Sequence, residues 1–83
     1  MIKYKFDVSQ ALATAGMTAY KAKKTGIISQ NTWRKIKNGD TSISMESLNR
    51  ICAILNMQPE HILYYCKDEE EEKEILKKFN KQS

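Results

Sequence analysis

Metal-binding and cross-linking residues are scarce in this chain. Cys52 and Cys66 form no CxxC pair, and His61 is the single histidine. A structural zinc site usually takes four such ligands, so none is expected here. Without an export signal, two reduced thiols are expected rather than a disulfide. Apolar runs fall far short of the ~20 residues that span a bilayer. The opening Met1–Phe6 has no continuous apolar stretch of the kind a signal peptide needs. Pro59 is the lone proline, and no Pro/Gly/Ser linker or internal repeat divides the 83 residues, so one small domain is expected. A chain of this length buries only about 60% of its unfolded surface, which leaves little room for a deep enzyme cleft beside a packed core. No Ser/His/Asp order, phosphate loop or pair of buried carboxylates is legible. The expectation is a cytoplasmic, non-enzymatic protein with no metal, no cofactor, no small-molecule ligand and no membrane contact.

Charge, by contrast, is plentiful and uneven. Residues 1–67 hold ten Lys and Arg against four Asp and Glu, a net of +6; residues 68–83 hold four against six, a net of −2. Six bases, Lys21, Lys23, Lys24, Arg34, Lys35 and Lys37, fall within residues 18–41 against Asp40 alone. A basic middle suits a polyanionic partner, although a basic surface alone is weak evidence for one.

Periodicity and punctuation divide the chain. Ile2, Tyr4 and Phe6 alternate with lysines and predict a short strand. Asp7 is placed to cap a first helix, with Gln10 three residues on as in a capping box. Val8, Leu12 and Ala15, with Ala11, make its apolar face, and Gly16 ends it. Thr18 caps a polar second helix to about Thr25, with Ala22 as its small buried residue. Ser29 caps a third through Ile36 or Lys37, with Ile28 and Trp33 at hydrophobic-staple positions. Ser44 caps a fourth, where Met45, Leu48, Ile51, Cys52 and Leu55 form a stripe. Asn56 closes it. Pro59 suits the first turn of a short helix, and Leu63–Cys66 reads as a strand pairing with residues 2–6. Asp68 and Glu69–Glu72 precede Lys77, Lys78 and Lys81, an order that matches a helix dipole.

The informative segment is 18–39, TAYKAKKTGIISQNTWRKIKNG. It reads as helix, glycine turn, helix, glycine, which is the spacing of a helix-turn-helix. At 100° per residue, Ser29, Trp33 and Ile36 share one side of the third helix. Gln30 and Arg34 form a row facing away, and Asn31 and Lys35 form the next row. Gln and Asn pair with adenine edges, Arg and Lys with guanine edges, in the DNA major groove. The same four residue types are also common on any solvated helix.

With Ala22, Gly26, Ser29, Trp33, Ile36, Asn38 and Gly39 in this order, the segment resembles the lambda-repressor-like, or XRE, helix-turn-helix family. Ser42–Asn56 resembles the family's next helix, and Gln58-Pro59-Glu60 with Ile62–Tyr65 its closing segment. The N-terminal strand points to the Cro-like subgroup. Two departures stand out. The turn Gly26-Ile27-Ile28-Ser29 is one residue longer than usual, so recognition positions are aligned from the third helix. Trp33 replaces an aliphatic residue and is expected in the core.

The resemblance implies a mostly α, five-helix bundle with a helix-turn-helix and a short two-stranded sheet from the N-terminus and residues 63–66. It also implies a DNA-binding domain over residues 1–66, followed by an acidic-then-basic C-terminal helix or tail over residues 67–83. Gln30, Asn31 and Lys35 fall where the family reads bases, with Arg34 beside them. Thr18, Tyr20, Lys37, Asn38, Thr41 and Ser44 fall where it grips phosphates. The expected function is a sequence-specific double-stranded DNA-binding transcriptional regulator, a repressor of phage or mobile-element type. The alternative is a protein-interaction module, such as a DNA-binding antitoxin whose tail binds a protein. A homodimer is expected, with residues 68–80 packing on a second protomer or folding back on their own domain.

Overall fold

A computed structural model describes residues 1–81 of the chain. Its order is β1 (Ile2–Tyr4), α1 (Val8–Thr14), α2 (Ala19–Thr25), α3 (Gln30–Lys37), α4 (Met45–Leu55), α5 (Pro59–Ile62), β2 (Leu63–Tyr65) and α6 (Glu69–Lys81). The two strands pair antiparallel, with Ile2 opposite Tyr65 and Tyr4 opposite Leu63. This is the expected mostly helical fold with one small sheet, and the acidic-then-basic segment is a sixth helix.

Side chains start the first four helices as their types dictate. Asp7, Thr18, Ser29 and Ser44 each accept a hydrogen bond from the backbone N–H three residues on, satisfying donors that the helix itself leaves unpaired. Asn56 closes α4 with a left-handed backbone, φ 53°. At the end of α3, Gly39 is left-handed at φ 77°. Its N–H donates to the Ile36 carbonyl, and the Asp40 N–H donates to the Lys35 carbonyl. That double closure requires φ above zero, which favours glycine.

Val8 and Leu12 of α1, Ala22 of α2, Ile36 of α3, Ile51 of α4 and Ile62 of α5 meet in one core with Met17 and Ile28. Ala22 is small where α2 crosses α3, which permits a close approach. Three expectations about packing change. Ala15 is exposed rather than part of the α1 face. Met45 is 78% exposed and leaves the α4 stripe, because the first turn of α4 runs past the elements that cover Leu48 and Ile51. Trp33 is half-buried rather than fully core, packed against the cluster on one side only.

The molecule measures 47 Å along its length but 21 and 19 Å across. That elongation reflects α6, which is about 20 Å long at 1.5 Å per residue and carries no buried residue.

Candidate nucleic-acid interface

The candidate site is built on two helices and the turn that fixes them. α2 ends at Gly26, left-handed at φ 70°, whose N–H donates to the Ala22 carbonyl. Within the turn that follows, Ile27 is exposed while Ile28 is buried in the core. Arg50 of α4 then donates to the Ile27 carbonyl at 2.7 Å while pairing with Glu46 at 2.7 Å. The turn is thus held from both sides, by an apolar anchor beneath it and a guanidinium across it.

α3 buries Ile36 and half-buries Thr32 and Trp33, leaving Gln30, Asn31, Arg34 and Lys37 exposed. Gln30, Arg34 and Lys37 line one crevice with Trp33, facing Tyr20 and Lys23 of α2. Tyr20 is 71% exposed, and the Lys24 ammonium lies 5.9 Å from its ring centroid, within cation–π range. The crevice therefore combines one amide, two aromatic rings and three cations, Lys23, Arg34 and Lys37. Lys23 was absent from the expected site. Its signal is spacing: it lies three residues after Tyr20 and so shares its face of α2.

Lys35 is turned away from this crevice. It is half-buried, and its ammonium donates to the Ser42 carbonyl at 3.0 Å. The third helix keeps it low on the side facing the following loop, so its charge is directed at that loop. Thr41 is similarly engaged, donating to the Ile2 carbonyl at 2.9 Å. Tyr4 donates to the Asp40 carbonyl at 3.0 Å. Residues 40–42 are thereby fastened to β1 on one side and α3 on the other. Asp40 completes the turn by accepting from the Ser42 hydroxyl and N–H. These bonds, with the Lys35 charge nearby, hold its carboxyl below the ordinary aspartate value. Burial, then the Asp40 charge, push the Tyr4 hydroxyl up.

The remaining candidates lie at helix ends. The Thr18 and Ser44 hydroxyls both serve as caps while remaining at exposed positions. Asn38 is the exposed C-cap of α3. No group of three or more His, Cys, Asp or Glu capable of holding a metal occurs among the described residues, and no helix there is long and apolar enough to cross a membrane.

A helix-turn-helix with one polar, cationic face is the geometry for which the family comparison is decisive. The model of the Cro/C1-type HTH DNA-binding domain matches residues 8–68. The chain belongs to that family. The match begins at α1, runs through the helix-turn-helix, and ends just before α6. This Cro/C1-type protein is accordingly a DNA-binding regulator. No curated protein and no solved structure gives a significant match to it.

Proposed function

We propose that this Cro/C1-type protein is a sequence-specific transcriptional repressor that reads duplex DNA with α3. In this reading residues 1–66 are the DNA-binding domain, and residues 67–83 are a separate extension that makes no base contacts. The observation that carries it is the exposed row Gln30, Arg34 and Lys37, with Asn31 on the neighbouring row, at a helix locked by a buried opposite side. The major groove admits one α-helix, and the N-terminal residues of a recognition helix reach the base edges. Gln30 and Asn31 occupy that first turn and suit adenine; Arg34 suits guanine or a phosphate. Lys37, Asn38, Tyr20, Thr18 and Ser44 are assigned to the backbone, where contacts fix register without reading sequence. We assign Lys35 and Thr41 to holding the loop after α3, since both already bond within the fold.

Repression fits a small protein whose DNA-binding face is its chief functional surface: occupying a promoter blocks polymerase without a further activating surface. Selection from random duplexes tests the reading, followed by a reporter carrying the selected site within a promoter. The expected results are enrichment of a defined site and lowered transcription when the protein is expressed. Failure to enrich any site would overturn sequence specificity; raised transcription would overturn repression.

A further inference from the structure

We infer that Trp33 is a further contact to the DNA backbone: its indole N–H donates to one phosphate seated in the crevice between α2 and α3. The inference rests on the reading of α3 as the recognition helix, and it adds a residue that helical phase sets on the apolar side. Trp33 packs against the core cluster and also lines the crevice with Tyr20, Lys23, Gln30, Arg34 and Lys37. Its indole N–H makes no hydrogen bond among the described residues. Yet no buried side-chain nitrogen or oxygen there lacks a partner. An unpaired N–H on this half-buried residue therefore reaches solvent. An aliphatic side chain would cover the core as well; what the indole brings is a polar tip on an apolar body, the property that suits tryptophan to interfaces with one dry and one wet side.

Charge identifies the occupant. Lys23, Arg34 and Lys37 line the crevice with Trp33, and no acid does. None of these three cations makes an ion pair among the described residues. An indole N–H donates and cannot accept, so the group it meets is an acceptor, and the unpaired cations select an anionic one. A phosphate oxygen is both. The rings of Tyr20 and Trp33, both in the crevice wall, offer apolar surface to the deoxyribose attached to that phosphate. A base edge fits less well, because the N-terminal residues of a recognition helix reach deepest into the groove. Gln30 and Asn31 occupy that turn, whereas Trp33 lies further along the helix and toward α2. Neutral donors take phosphate contacts alongside Lys and Arg. A neutral donor holds the phosphate without neutralising it, so it adds affinity without releasing a counterion.

The test titrates the full chain onto its selected duplex and onto random duplex. Trp33→Phe keeps a ring against the core and removes the N–H. It is expected to weaken binding about tenfold, on both duplexes alike, with the slope of log K against log salt unchanged. Lys23→Ala, by contrast, is expected to reduce that slope by about one. A synthetic chain with a benzothiophene in place of the Trp33 indole keeps the bicyclic shape and puts sulfur where the N–H was. It is expected to match Trp33→Phe, which separates the lost donor from altered packing, and urea unfolding checks that each variant is folded under the binding conditions. Trp33 is the lone tryptophan, so intrinsic emission reports on this ring alone. Either duplex is expected to protect it from acrylamide quenching. Wild-type affinity in the benzothiophene chain, a loss confined to the selected duplex, or a Trp33 as open to acrylamide on DNA as off it would each overturn the proposal while leaving α3 as the reading helix. A wild-type chain that binds neither duplex would overturn that reading itself.

Discussion

α3 and α6 are both amphipathic, and both carry cations in their last turn, yet they occupy opposite situations. α3 is eight residues long and is immobilised: Ile36 is buried, Trp33 leans on the core, Ser29 caps its start and Gly39 closes its end. α6 is longer and buries nothing. The difference is topological. α3 lies between α1 and α2 with its apolar side on a shared core, whereas α6 follows β2 after the core is already complete. An apolar stripe therefore does not by itself say whether a helix is packed. What the chain places opposite that stripe decides it, and only the packed helix can hold side chains in the fixed geometry that base reading requires.

The sharpest way to break this comparison is to truncate one apolar residue in each region. Ile51→Ala, at a position 0% exposed against α3's neighbours in the core, is expected to cost about 2–5 kcal/mol in urea unfolding. Ile75→Ala in dilute solution is expected to cost less than about 0.5 kcal/mol. Similar losses at the two sites would mean that α6 is packed after all.

On DNA the contrast lies within α3 itself. Gln30→Ala and Asn31→Ala are each expected to cost about 1–3 kcal/mol on a selected site and little on random duplex. Lys37→Ala is expected to weaken both alike. Lys35→Ala, assigned to the loop, is expected to show its effect in thermal stability rather than in base preference. If Lys35→Ala instead changes which site is selected, the placement of that side chain against Ser42 does not persist on DNA.

The cap at the start of α3 is a smaller lever. Ser29→Ala removes the acceptor for the Thr32 N–H and is expected to cost about 1 kcal/mol, read as a lowered melting temperature. Smaller still is the acid response of the loop after α3. Asp40 and Asp7 both titrate below the ordinary aspartate value, so the folded state favours their ionised forms. Their contribution is fully present above the unfolded value of 3.8 and is lost as pH falls through the lower folded value. Asp40→Asn is expected to flatten that acid limb and to lower stability near neutrality by a comparable amount, since the ionised carboxylate is what contributes there. An unchanged acid limb would remove Asp40 from the account.

Much of this fold was legible because local chemistry and global packing agree. Four side-chain caps, three glycine stops and the pairing of residues 2–4 with 63–65 follow directly from residue type and spacing. The exposed side of α3 followed from 3.6-residue periodicity. Lys35 did not, because a long side chain on a flanking row can turn either to solvent or back to a carbonyl, and periodicity does not say which. The Ser42 carbonyl that captures it comes from a loop whose path the sequence leaves open. Arg50 was hidden for the same reason: its partner, the Ile27 carbonyl, is a backbone atom 23 positions away. Met45 failed because helical phase describes a face but not where along the helix the covering element stops.

The central claim is that the cationic α2–α3 face grips the DNA backbone while the first turn of α3 reads bases. Its most direct test is titration of the wild-type chain onto its selected duplex across a range of salt. If each protomer neutralises roughly four phosphates, log K should fall with log salt at a slope near −3.6 per protomer, and Lys37→Ala should reduce that slope by about one. Affinity that stays flat as salt rises, or no binding to any duplex at low salt, would contradict the account.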